Sequence, residues 1–388
     1  MSNRQTIDRI FSEAVASKAM PGIVAGAATD KGILYEGAFG KRELGKDAPM
    51  TLDTVVWIAS MTKAITATAA MQLVERGKLD LASPASGVVG ELATAQVLEG
   101  FDAAGTPRQR APKRPITLRH LLTHTAGFAY EIWAPAIVQY QEATGTPGIT
   151  TCRNAALTTP LLFDPGDRWE YGINIDWVGK MVEAVSGQKL DRYFQEHIFG
   201  PLGMNDTSFK PSPSQRARLA SVHQRGADGT LAPIEFELPQ EPEFLMGGGG
   251  LYGTASDYLA FCQMIMRGGT VDGGQVLRRE TVAQMAQNHI GALEVGAFKT
   301  AMPTLSHDVD AFPGMSKKWG LSFLINTQQA PTGRSAGSLA WAGLANTYFW
   351  IDRTKRVCGV FLSQFLPFYD HTAIDLLVKF ETEVYRAV

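Results

Sequence analysis

Val55-Val56-Trp57-Ile58-Ala59-Ser60-Met61-Thr62-Lys63-Ala64-Ile65-Thr66-Ala67-Thr68-Ala69-Ala70-Met71-Gln72-Leu73-Val74 opens on an apolar run and passes into an Ala-, Met- and Leu-rich stretch. Such a stretch reads as a buried helix with Ser60 in its first turn. Lys63 is three residues on, so its amine and the Ser60 hydroxyl emerge on one face. A neutral amine held there can take the hydroxyl proton, and partial burial lowers a lysine pKa enough to free it. The helix N-terminus also favours negative charge growing on the serine oxygen. The same S-x-x-K spacing fits an ordinary helix start with a serine cap and a surface lysine, so other parts of the chain must decide.

Composition narrows the choice. The chain has 388 residues, 45% hydrophobic and 19% charged, with a net charge of −2, which fits two domains or one large domain with an insertion. The near-neutral balance gives no reason to expect nucleic acid or an anionic membrane as partner. Cys152, Cys262 and Cys358 are widely spaced, form no C-x-x-C pair, and in their odd number argue against a disulfide framework. Residues Met1 to Phe11 lack the apolar segment of a signal peptide, and no apolar run reaches the length of a membrane span. A cytoplasmic location is the expectation.

Outward from Ser60, Ile7, Ile10, Phe11, Ala14 and Val15 recur at helical spacing. Ile23–Thr29 and Ile33–Phe39 read as strands around Asp30-Lys31-Gly32. From about 80 to 209 strand signals weaken, and Pro, Gly and Thr punctuate short helices, with Thr117 a cap for the helix Ile116 opens. Ile175–Val185 reads as another helix. Trp319–Ile325, Thr347–Ile351 and Val357–Leu362 read as strands, and Ile374, Leu377, Phe380 and Val384 as a closing helix. The fold class is therefore α+β: an antiparallel sheet flanked by terminal helices from residues 1–79 and 210–388, with a mainly helical insertion at 80–209.

Several motifs compete for the chemistry. Tyr171 lies between a Pro165-Gly166 turn and a helix; it is either a packed aromatic or a phenol that shuttles a proton beside a lysine. His120 and His124 are four apart, but Leu121 and Leu122 fill the places where a zinc-hydrolase helix carries its acid, so structural histidines are expected and no metal. Gly333-Arg334-Ser335-Ala336-Gly337 matches G-x-S-x-G, yet no apolar strand precedes it and no helix follows, so Ser335 reads as a loop residue between strands. The Gly247–Gly250 run lacks the Lys-Ser/Thr of a phosphate loop and implies close approach of backbone to another element or a ligand. Arg108, Arg110, Lys113 and Arg114 read as a solvated hairpin or loop. Trp341-Ala342-Gly343-Leu344 is either a plain edge strand with a packed Trp or a strand whose backbone N–H meets a reacting carbonyl.

Taken as an ordered set, Ser60-x-x-Lys63, Tyr171 and Trp341-Ala342-Gly343 resemble the serine β-lactamase and penicillin-binding-protein superfamily. Leu118–Gly127, Gly200–Met204, Gly247–Ala255 and Gly337–Asp352 extend the likeness almost end to end. It is nearest to the family VIII carboxylesterases, which share the class C β-lactamase fold. The resemblance implies that Ser60 is the acylated nucleophile, Lys63 assists its deprotonation, and Tyr171 exchanges protons with nucleophile, leaving group and water. It implies an oxyanion hole from the N–H groups of Ser60 and Leu344, and a substrate pocket touched by Tyr130, Trp341 and Gly343.

Departures from the β-lactamase pattern point to substrate. Trp341 stands where a class C enzyme carries the Lys of its K-T-G motif, Tyr171-Gly172-Ile173 places Asn174 one position late, and no export signal is evident. The expectation is a serine carboxylesterase acting on short-chain, neutral small-molecule esters without a cofactor. β-Lactam or amide hydrolysis, cephalosporin deacetylation, acyl transfer to another alcohol and a non-catalytic scaffold are the alternatives.

Overall fold

Alternation writes the main sheet. In the strand β1 (Gly22–Thr29), Ile23, Ala25 and Ala27 face one side while Val24 and Ala28 face the other, and both sides are buried. The structure, a computed structural model, describes residues 2–388; Met1, the first residue of the expected sheet domain, lies outside them. β1 pairs with β2 (Gly32–Gly40) across the expected tight turn. Five further strands complete an antiparallel sheet: β3 (Lys317–Trp319), β4 (Leu324–Asn326), β5 (Leu339–Gly343), β6 (Thr347–Asp352) and β7 (Val357–Leu362), in the spatial order β3-β4-β5-β6-β7-β1-β2.

Each face takes its own helices. The helix α1 (Asn3–Ala16) and the closing helix, α6 (His371–Arg386), cover one side, where Ile7, Phe11, Phe380 and Val384 pack on Ile23, Trp350 and Phe361. On the other side α5 (Ala255–Met266) and α2 (Thr62–Glu75) bury Leu259, Cys262 and Ile65 among Phe349, Ile351 and Val360. α2 is buried almost all round, as its Ala-rich composition requires, and it packs against α4 (Asn174–Ser186). Between residues 80 and 209 lie short helices, including α3 (Leu118–Leu122, capped by Thr117), and one hairpin of Val97–Phe101 with Pro107–Arg110.

One strand expectation changes. Trp319–Ile325 is not a single strand: a turn closed by Gly320 N–H on the Phe323 carbonyl at 2.8 Å divides it between β3 and β4. The apolar run gave no sign of the break because both halves are buried. Among the described residues no helix is long and apolar enough to cross a membrane.

Candidate active site

The serine is presented by a turn held from three directions. Val56–Trp57 pairs with Tyr252–Gly253. Ile58 N–H donates to the Leu251 carbonyl at 3.0 Å, and the Thr347 hydroxyl donates to the Ile58 carbonyl at 3.3 Å. Ala59 then adopts φ +45°, a left-handed conformation costly for a residue with a Cβ. Ser60 therefore sits in a 3₁₀ turn, Ala59–Met61, just ahead of α2 and not in its first turn, where helical periodicity puts it.

Lys63 is buried beneath this turn. Its Nζ lies 3.0 Å from Ser60 Oγ, 3.0 Å from the Tyr130 hydroxyl and 2.6 Å from the Gly248 carbonyl. Burial drives its pKa well below the ordinary lysine value, and the Asp176 carboxylate pulls it part of the way back. Asp176 is itself fully buried in the first turn of α4; burial raises its pKa, while the Lys63 charge and the Gly248 N–H lower it. Gly248 joins the two, donating its N–H to Asp176 Oδ1 at 2.8 Å while its carbonyl faces the amine. A Cβ at Gly248 would stand 2.6 Å from Asp176 Oδ2, so glycine is what lets the two lie together without a shift. The Gly247–Gly250 run is thus the close approach its composition implies.

Tyr171 completes the cluster from the other side. Its ring centre is 4.7 Å from Lys63 Nζ, and its hydroxyl accepts from the Trp341 indole N–H at 3.0 Å. Burial raises its pKa, and hydrogen bonding with Ser60 and with Trp341 opposes the rise. The structure thus brings Ser60, Lys63, Tyr171 and Trp341 together. Tyr130 is placed differently from the expectation: it does not line the pocket but lies buried with its hydroxyl on Lys63. A lone tyrosine beyond Thr125-Ala126-Gly127 carries no sign of which way its hydroxyl turns.

Trp341 and Gly343 alternate with Ala340 and Ala342 along β5. A Cβ at Gly343 would meet the Ile58 carbonyl at 2.3 Å, so glycine lets this strand lie against the nucleophile turn. β4 pairs with β5 only at Leu339 and Ala340, leaving the edge from Trp341 to Leu344 without a partner strand on that side. A cavity of about 520 Å³ opens along this edge. Ser60, Tyr171, Trp133, Phe298, Trp341, Gly343 and Leu344 are among the residues that line it. A larger cleft of about 750 Å³, lined by Phe209, Phe244 and Met246, does not reach Ser60 and holds none of this chemistry.

The competing motifs have other employment. His120 Nδ1 accepts the Thr117 N–H, and the buried His124 places Nδ1 3.0 Å from the Asn174 amide. Asn174 is consequently turned into the core and away from the cavity. Ser335 lies in the loop between β4 and β5, its N–H held by Asp352 at 2.8 Å. Arg110 grips the buried Asp164 carboxylate at 2.8 and 2.9 Å, and Arg114 pairs with Asp167. Asp176, and its link through Gly248 to Lys63, escaped the sequence reading. The available signal was an acid flanked by Ile175 and Trp177 on an apolar helix, a position that requires a partner.

A seven-stranded antiparallel sheet with helices on both faces, and a serine on a strained turn against its open strand, is the architecture of the β-lactamase/transpeptidase superfamily. A match to the Beta-lactamase family spans residues 7–381, and the chain belongs to that family. It is 32% identical over 394 residues to a lovastatin esterase of Penicillium rubens, covering 98% of each chain. It is likewise 32% identical over 401 residues to a monacolin J acid methylbutanoyltransferase of Aspergillus terreus, covering 98% of this chain and 95% of the relative. The structure of unliganded simvastatin synthase (LovD) from Aspergillus terreus, as its selenomethionyl derivative, superposes with TM-score 0.87 at 31% identity, over 100% of this chain and 99% of that one. EstCE1, described as a hydrolase with promiscuous acyltransferase activity, shares the fold with TM-score 0.77 at 24% identity, over 99% of this chain and 98% of that one. The protein is an enzyme of the serine-hydrolase kind.

Proposed function

We propose that the protein transfers acyl groups through an ester on Ser60, to an alcohol when one occupies the cavity and otherwise to water. Lys63 is the base. As a neutral amine it donates to the Gly248 carbonyl and the Tyr130 oxygen, and its lone pair receives the Ser60 proton. The serine oxygen attacks the ester carbonyl. The N–H groups of Ser60 and of Leu344, the residue that follows β5, take the charge that appears on the carbonyl oxygen. Tyr171 passes a proton to the departing alcohol, and its hydroxyl serves the incoming alcohol or water in reverse.

The observation that carries the acyl-transfer reading is the cavity. About 520 Å³ with aromatic walls is the size of a drug-like ligand site, well beyond the needs of a short acyl group and a water. The acyltransferases among the relatives support the same reading. A second reading, the short-chain carboxylesterase of family VIII type, draws support from the lovastatin esterase relative and from Trp341, which offers no charge to an anionic lactam. The decisive experiment supplies p-nitrophenyl butanoate with and without octanol. Octyl butanoate formed in competition with water, and lost in Ser60→Ala, supports acyl transfer. Butanoate as the sole product leaves the carboxylesterase reading, and turnover by Ser60→Ala removes both.

A further inference from the structure

The cavity does not end at the catalytic cluster. Past Trp341 it rounds the open edge of β5 and continues under α6, over Ala340, Tyr348 and Trp350. Two small residues, Ala340 and Ala342, keep this passage open. From Gly343, beside Ser60, to Ala340 is three residues, about 10 Å of strand. Its end is built differently from its walls. Arg334, only 5% exposed, places its guanidinium 5.1 Å from the Phe312 ring and 5.6 Å from the Trp350 ring. Glu381, 3% exposed, accepts from Arg334 Nε at 2.8 Å, pairs with Nη2, and accepts from the Thr332 hydroxyl at 2.5 Å. Nη1 has no acceptor among the described residues, although Arg334 lines the cavity.

We infer that Arg334 Nη1 is the far anchor of the alcohol substrate, donating to a neutral oxygen, a hydroxyl or carbonyl, about 10 Å beyond the reacting hydroxyl. This rests on the acyl-enzyme reading above. The alcohol half belongs in the cavity because its reacting oxygen must meet the Tyr171 hydroxyl, and Tyr171 is in the cavity wall. Charge selects the class of anchor. Glu381 neutralises Arg334, and Asp310 neutralises Lys317, the other cation in the wall, at 2.8 Å. With both cations matched, a carboxylate gains no net attraction and still loses its hydration, whereas a neutral acceptor completes the donor set at little cost.

The test compares butanoates of octanol, of octanediol esterified at one end, and of ω-hydroxyoctanoic acid. The readout is the ratio of kcat/KM values within each protein. In the wild type the hydroxyl-ended ester is favoured about tenfold over the methyl-ended one, and over the carboxylate-ended one. In the double variant Arg334→Gln, Glu381→Gln, which removes both charges together, the ratio falls to near one. Ala340→Phe, which narrows the passage, also brings it to near one, and serves where the double variant does not fold. Equal wild-type rates for the methyl- and hydroxyl-ended esters, preference for the carboxylate, or a ratio that survives both variants overturns the anchor. Hydrolysis of p-nitrophenyl acetate keeps the two claims apart: wild-type turnover without selectivity sinks the anchor alone, and no turnover sinks the acyl-enzyme reading.

Discussion

The Trp341 indole N–H donates to the Tyr171 hydroxyl at 3.0 Å. The indole thus occupies one lone pair of the phenol and leaves the phenolic proton for Ser60 or the leaving oxygen. Trp341 borders the cavity and also aims the proton carrier. Trp341→Phe keeps an aromatic wall and removes the donor. It should lower kcat for aryl esters about tenfold with little change in KM. A rise in KM alone would make the indole a wall only.

The two tyrosines should separate kinetically. Tyr171→Phe removes the proton carrier, and a loss of about a thousandfold in kcat is expected. Tyr130→Phe removes a single hydrogen bond to Lys63 and should cost about tenfold. Steady-state kinetics on p-nitrophenyl butanoate measure both. The reverse ranking would transfer the shuttle to Tyr130.

Burial sets the pH at which Lys63 works, and Asp176 adjusts it upward. Activity requires the neutral amine, so kcat/KM rises with pH as Lys63 loses its proton, and burial puts that limb below the ordinary lysine range. The Asp176 charge raises the lysine pKa, so removing it lowers that pKa and moves the acid limb to lower pH. Asp176→Asn tests this while its side-chain oxygen still accepts from Gly248. Tyr130, Tyr171, His124 and Glu131 surround the pair and are common to both proteins. An unmoved limb in the pH profile would refute the assignment.

Gly248→Ala forces a methyl group against the Asp176 carboxylate. Either that carboxylate or the Gly248 backbone must shift, and either shift disturbs the link from Asp176 to Lys63. A loss of about 1–3 kcal/mol in stability is expected, together with slower acylation of Ser60. Thermal unfolding and the acylation burst measure the two effects. By contrast Ser335→Ala should leave turnover unchanged, since Ser335 engages Asp352 through its backbone N–H and stands apart from Lys63 and Tyr171.

The sheet, both terminal helices and the pairing of Ser60 with Lys63 and Tyr171 were legible because period and order carry them. Ile7, Phe11, Phe380 and Val384 announce one face by spacing alone. The split between β3 and β4 was hidden because apolar residues continue through the turn. The placing of Tyr130 and the link from Asp176 through Gly248 to Lys63 were hidden for another reason. Each depends on where a side chain or carbonyl turns after distant segments meet, and neither spacing nor composition records that. Burial makes such a contact consequential, and burial is a property of the finished molecule.

The residues that hold the nucleophile turn arrive late in synthesis. Trp57 N–H donates to the Gln364 side chain at 3.0 Å, across 307 positions, and Ile58 waits for Thr347. A growing polypeptide therefore leaves the ribosome with its serine near the front, gains the Leu251–Gly253 brace midway, and receives the last two holds only near its end. The turn is fully clasped only once the final strands dock, so a chain cut short before Thr347 lacks both of these holds on it.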